Sequence, residues 1–141
     1  MNLIHPLIIF SVDSPVAFDL ETRLRHEFVR DVLRRHGLTF VEGVGKATTG
    51  GGSCERPLCI AFAHNFVVWD DSVSAQDIVL GIASQFDQAS VLCVDANRIA
   101  YHVLTDGDRT ESVGVFRQVP PYKAETARNY TFVNGVYYVT D

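Results

Sequence analysis

One carboxylate in this chain stands where it can do chemistry. Glu55 ends a glycine-rich stretch, GVGKATTGGGSC, and opens onto Arg56-Pro57 and the apolar run LCIAF at 58–62. At such a junction a carboxylate can point into a cleft while the rigid strand behind it fixes its position. The plainer alternative is a surface Glu55–Arg56 site worth little. The glycines also have two readings. They form a mobile connection, or backbone that approaches a ligand, with Gly51, Gly52 and Ser53 nearest the carboxylate. A phosphate loop is excluded. GxxxxGK[ST] would need glycine at Phe40 and Ser or Thr at Ala47, and a parallel strand leading into a helix.

Other chemistries find little support. The five histidines, His5, His26, His36, His64 and His102, show neither HExxH nor HxH, so a zinc site is not expected. No GxSxG nucleophile motif occurs. Asp70-Asp71 reads as a loop before a helix rather than an acid/base pair. Cys54, Cys59 and Cys93 form no CxxC; they read as small core hydrophobes in a reducing, cytoplasmic setting. The N-terminus lacks the basic start and cleavage site of a secretory leader, and no apolar run is long enough to span a bilayer.

The elements that must position Glu55 read as follows. Residues 7–12 (LIIFSV) form a buried strand, broken by Asp13-Ser14-Pro15. Residues 19–36 form an amphipathic helix whose apolar stripe is Leu20, Leu24, Phe28 and Val32, flanked by Val29 and Leu33. Gly37 supplies its left-handed stop. Residues 38–43 and 58–62 are strands on either side of the glycine loop. Residues 64–71, with Trp69, read as strand extension or loop. Ser74-x-x-Asp77 opens a second helix with inner residues Ile78, Ile82 and Phe86. Strands follow at 90–94 (SVLCV), 98–105 and 110–119, with a turn at Asp106-Gly107-Asp108. Pro120-Pro121 stops the last of these, and a polar connection leads to YTFVNGVYYVTD, where Asn134-Gly135 marks a hairpin. Tyr137 and Tyr138 then fall on opposite faces, one toward the core.

The order β-α-β-(loop)-β-α-β with extra C-terminal strands predicts a single α+β domain over 1–141. The expected architecture is ferredoxin-like: a split βαβ antiparallel sheet with two helices on one face. Its other face needs a cover, from the C-terminal strands or from another subunit, so an oligomer is expected. The hydrophobic share of 47% supports an ordinary core. A net charge of −5 argues against nucleic acid and allows a cationic small molecule or a basic partner. Arg23, Arg25, Arg30, Arg34 and Arg35, interleaved with Glu21, Glu27 and Asp31, read as a solvated helix face.

Several segments together resemble one family. Thr22-Arg23-Leu24-Arg25-His26, the following LRRHGL (33–38), the glycine loop leading to Glu55, Phe86-Asp87-Gln88, SVLCV, VFRQVPP and the aromatic hairpin are similar to the phage S-adenosylmethionine (SAM) lyases, formerly called SAM hydrolases. The likeness is spread over most of the chain. It implies a cytoplasmic homotrimer with SAM bound between subunits as substrate, no cofactor, and an anti-restriction role in a bacterial host. It implies attack of the substrate's own carboxylate on its γ-carbon, releasing methylthioadenosine and homoserine lactone. Glu55 matches the family's functional glutamate, binding the cationic end of the substrate or orienting a hydroxyl. Loop backbone at Gly51, Gly52 and Ser53, with Gln88 and Asp95, would line the pocket. Where the family tends to carry an aromatic residue in the preceding loop, this chain reads Lys46-Ala47-Thr48-Thr49. The rival readings are a non-catalytic module that sequesters a ligand or inhibits a protein, and an RNA-binding domain. The latter lacks the aromatic-basic motif and the charge it would need.

Overall fold

The structure, a computed structural model, describes residues 6–12, 19–49, 52–62, 74–105 and 109–140. The break at Asp13-Ser14-Pro15, the segment 63–73 with Trp69 and Asp70-Asp71, Gly50 and Gly51, and the turn at 106–108 lie outside these residues.

The first apolar run forms β1 (Leu7–Phe10), buried along its whole length. Leu7 and Ile9 enter one core with Ile60, Phe62, Val94 and Phe116. Ile8 and Phe10 enter another with Cys59, Ala61, Val91 and Cys93. A strand buried on both faces reads as an unbroken apolar run, which is what LIIF is. The elements that follow are α1 (Asp19–Arg35), β2 (Thr39–Thr49), β3 (Gly52–Phe62), α2 (Ala75–Gln85), β4 (Ser90–Val94), β5 (Ile99–Leu104), β6 (Thr110–Val119), α3 (Pro121–Thr126), β7 (Asn129–Val133) and β8 (Val136–Thr140).

The strands close into an antiparallel barrel in the order β1-β3-β2-β7-β8-β6-β5-β4. This corrects the expected ferredoxin-like open sheet with two helices on one face. The first four strands lie side by side as β4-β1-β3-β2, and α1 and α2 bury Val29, Leu33, Ile78, Val79 and Ile82 against their outer face. The later strands do not cover the other face. They extend both edges, β5 pairing with β4 and β7 with β2, and β6 and β8 complete the ring. The physical reason is that each later strand has an apolar group that must be buried on the inner side: Ala100, Phe116, Val133 and Tyr138 all enter or pack on the core shared with Leu7 and Ile9, while Val103 of β5 also joins the core under the helices. Closure buries that face and also removes the exposed strand edges an open sheet would leave.

Three local expectations are corrected with it. Residues 43–49 and 52–54 are not loop but the paired arms of β2 and β3, in register from Thr39↔Phe62 to Thr49↔Gly52. Glycine is tolerated inside β2 because neighbours come too close for a side chain. A Cβ on Gly43 would lie 2.4 Å from the Phe132 carbonyl oxygen, and one on Gly45 would lie 2.3 Å from the Leu58 side chain. Gly43→Ala is therefore expected to destabilise by about 2 kcal/mol, because β7 backbone must move. Gly45→Ala should cost less, because Leu58 can rotate; urea denaturation of the two variants checks the difference.

The second correction concerns α1. Its buried residues are Val29 and Leu33, with Val32 half-buried, whereas Leu20, Leu24 and Phe28 are 68%, 56% and 40% exposed. The stripe chosen from periodicity thus faces outward over the first half of the helix. That half is tied down instead by Arg25, whose Nη1 donates to the Val12 carbonyl at 2.8 Å and whose guanidinium sits 5.1 Å above the Phe86 ring. Third, the polar connection after Pro120 is helical, as α3.

Other signals hold. Gly37 takes φ +74° after α1. Ser74 and Asp77 form a reciprocal capping box at α2. Asn134 and Gly135 both have positive φ between β7 and β8, as the tight hairpin requires. Cys59 and Cys93 are free and buried.

Candidate active site

Successive residues of a strand face opposite ways. On β2, Val41 faces the barrel interior while Phe40 packs toward the helices. Glu42, Val44 and Lys46 therefore share the outer face. Register places Cys59, Pro57 and Glu55 of β3 beside them in that order, and Phe132 and Tyr130 of β7 beside Val44 and Lys46. Glu55 thus lies well inside a strand, on the outer barrel wall, with Lys46 between it and Tyr130.

The Tyr130 side chain spans β2 and donates its hydroxyl hydrogen bond to Glu55 Oε2. The Lys46 ammonium lies 5.3 Å from the centroid of the Tyr130 ring and donates to the Glu125 carbonyl of α3 at 3.4 Å. Tyr137 of β8 meets the same ring edge-on, with centroids 5.2 Å apart, and Phe132 packs on Tyr137 at 4.5 Å. Of the hairpin pair, Tyr138 faces inward against Phe116 and Tyr137 faces outward. The result is a carboxylate held by a phenol whose ring in turn meets an ammonium and a second aromatic ring, an arrangement that suits an organic cation.

Electrostatics keep the tyrosine protonated. The hydrogen bond to Glu55, then burial and the Glu55 charge, push the Tyr130 phenol up to about 12. A tyrosine of the unfolded chain ionises near ~10. Folding thus favours the neutral phenol, and that contribution to stability is complete below about pH 10 and lost as pH rises through about 12. Spectrophotometric titration of tyrosinate absorbance should show a late-ionising group near pH 12 that disappears in Tyr130→Phe.

A cleft of about 410 Å³ adjoins this wall, between α1 and the β2–β3 surface. It is lined by Arg23, His26, Glu27 and Arg30 of the helix and by Glu42, Gly43, Pro57 and Leu58 of the sheet. Arg30 grips Glu42 through two hydrogen bonds, Nε to Oε1 and Nη2 to Oε2, the latter at 3.0 Å. That pair holds Glu42 below its usual range and Arg30 above its own. Pro57 in the cleft and Glu55 on the wall are two residues apart on one strand, roughly 7 Å. Cleft and wall thus adjoin along β3, and the cleft has a size that small-molecule sites commonly have.

Of the remaining candidates, Gly52 and Ser53 lie next to Glu55 along β3, and Gln88 and Asp95 belong to other parts of the fold. Gly52 and Ser53 pair with Thr49 and Thr48 in the β2–β3 ladder, and Gly51 is outside the described residues. Gln88 closes the end of α2: its N–H donates to the Ala83 carbonyl at 2.9 Å and its side-chain amide to the Phe86 carbonyl at 3.1 Å. Asp95 caps the β4–β5 turn, its Oδ1 accepting from the N–H groups of Asn97 and Ile99 at 2.8 and 3.0 Å. Val94 pairs with Leu7, which pairs with Phe62, seven residues along β3 from Glu55, so Asp95 lies on the order of 20 Å away. Among the described residues, no group of three His, Cys, Asp or Glu is placed to hold a metal, and no helix is long and apolar enough to cross a membrane.

Sequence reasoning missed Tyr130 and Lys46. Lys46 falls in a stretch whose glycines read as loop, and Tyr130 comes from a strand 75 residues away that only barrel closure brings alongside. An aromatic ring, that of Tyr130, reaches Glu55 from across the sheet. No curated protein matches the chain. A family model described as the S-adenosylmethionine lyase family matches residues 25–141, which include α2, every strand after β1 and most of α1, together with Glu55, Tyr130 and Lys46; the chain belongs to that family.

Proposed function

We propose that this protein cleaves SAM on the wall around Glu55, giving methylthioadenosine and homoserine lactone. The observation that carries the reading is the Tyr130–Glu55 hydrogen bond in a member of the SAM lyase family. In the reaction the substrate carboxylate attacks its own γ-carbon. A C–O bond forms, the C–S bond breaks with its electron pair left on sulfur, and no proton moves. The leaving group is a neutral thioether, so the protein has no nucleophile to supply. It needs to hold the folded, near-attack conformer and exclude water.

This chemistry fixes what Glu55 should touch. The sulfonium loses its positive charge in the transition state, so a carboxylate beside it would favour the ground state and slow the reaction. The α-ammonium keeps its charge throughout. Glu55, held by Tyr130, binds that ammonium, and the adenosine extends over Pro57 into the cleft under α1. The wall is open on its outer side, with Tyr130, Phe132 and Tyr137 half-exposed. A neighbouring subunit would cover it, which supports a homotrimer with substrate between subunits. Removal of SAM would serve an anti-restriction role in a phage-infected cell, because restriction and methylation enzymes draw on it.

The test is incubation with SAM and chromatography with mass detection. Release of methylthioadenosine and homoserine lactone is the expected result. SAM recovered bound and unchanged would instead favour a sequestering module.

A further inference from the structure

We propose that Lys46 is the resident cation of the Glu55–Tyr130 site and sets its selectivity by competing with cationic ligands. This rests on the reading of that wall as the place where the substrate's ammonium binds. Lys46 is the register partner of both Glu55 and Tyr130, so its side chain rises between the two groups that form the site. Its ammonium already makes the cation–ring contact an incoming ammonium would seek, 5.3 Å from the Tyr130 centroid. Among the described residues its anchor outside the ring is slight: one hydrogen bond, 3.4 Å long, to a backbone carbonyl of α3. A lysine so held on a flexible four-carbon stem can swing out when a better-placed cation arrives.

The device has a chemical consequence. While the lysine is in place, the Tyr130 ring beside the carboxylate already carries a cation, so single inorganic cations and small amines gain little by binding. A ligand must bring further contacts, such as an adenosine in the cleft, to displace it. Lys46 therefore acts as a specificity-determining residue without touching the reacting atoms.

The test separates charge from shape. Tetramethylammonium, which carries only the cation, methylthioadenosine, which is uncharged, and SAM are titrated by calorimetry or NMR against wild type, Lys46→Met and Lys46→Arg. Lys46→Met keeps the length of the side chain and removes its charge. It should bind tetramethylammonium about tenfold more tightly, about 1.4 kcal/mol, with methylthioadenosine unchanged and Lys46→Arg close to wild type. Unchanged or absent tetramethylammonium binding in Lys46→Met overturns the proposal. So does a loss of SAM affinity with tetramethylammonium unaffected, which would make Lys46 the partner of the substrate carboxylate. If SAM is not turned over by wild type but the tetramethylammonium gain is seen, the lyase reading fails and the cation site stands.

Discussion

Replacing Glu55 by Gln is expected to lower kcat/KM for SAM about 100-fold while leaving the fold intact. The change is isosteric, and the Gln carbonyl can still accept the Tyr130 hydroxyl. What disappears is the negative charge that holds the ammonium. Hydrogen bonds to charged groups are worth about 1.5–3 kcal/mol, and about 2.7 kcal/mol corresponds to 100-fold. Tyr130→Phe leaves the charge but removes one hydrogen bond that positions it, and should cost nearer tenfold. Steady-state kinetics of both variants, with thermal melting as a control, makes the comparison. Wild-type turnover by Glu55→Gln would return the residue to the plain reading of a surface carboxylate beside Arg56.

The second large effect is on stability. Phe116→Ala is expected to destabilise by about 4 kcal/mol, a large part of the roughly 5–15 kcal/mol available to a typical domain. Phe116 lies in the barrel interior, 2% exposed, and its ring stacks on Tyr138 with centroids 4.9 Å apart and planes 5° from parallel. The position discriminates between architectures. In an open sheet with β6 on a solvated face the same truncation would cost within about 0.5 kcal/mol. In the closed barrel it opens a cavity among Leu7, Ile60 and Val94, whose neighbours cannot collapse into it because they are tied into the ring. Urea denaturation of Phe116→Ala and Phe116→Leu reads this directly, with the leucine variant losing under about 1.5 kcal/mol.

These two predictions rest on different depths of legibility. Glu55 could be picked from local sequence, because a lone carboxylate entering an apolar strand is visible without knowing the fold. Its partners could not. Tyr130 is 75 positions away and reaches Glu55 across β2 only because β7 pairs with β2. Individual strands were readable for the same local reason: SVLCV and residues 110–119 carry their own apolar patterns, and Asn134-Gly135 its own turn geometry. Closure was not readable, because alternation says that a strand has one apolar face and not what that face meets. The glycines misled because their usual cost to a strand is entropic. At Gly43 and Gly45 that cost is outweighed by the close approach of Phe132 and Leu58. The apolar spacing of α1 misled similarly. Periodicity located a stripe, but Leu20 and Leu24 lie outside the contact, Phe28 reaches only the rim at Phe86, and Val29 and Leu33 fill the core.

The outward stripe and the outer wall have one physical implication in common. Leu20 and Leu24 on α1, and the half-exposed rings of Tyr130 and Tyr137, are apolar groups that a neighbouring subunit would remove from water. In the proposed homotrimer, light scattering should give a mass three times that of the chain. Tyr137→Glu, which puts a charge on the outward ring position, should shift it toward the monomer.

The central claim is that the Glu55–Tyr130 wall and the adjoining cleft together hold the substrate. It is met most directly by a crystal structure of the wild-type protein with S-adenosylhomocysteine, which keeps the amino-acid end and the adenosine but lacks the sulfonium leaving group. The account predicts the ligand ammonium on Glu55, with Lys46 moved off the Tyr130 ring and the adenine over Pro57 and Leu58. A ligand bound elsewhere, for example in the hollow beside Val119, Pro120 and Tyr137, with Glu55 untouched, would contradict it.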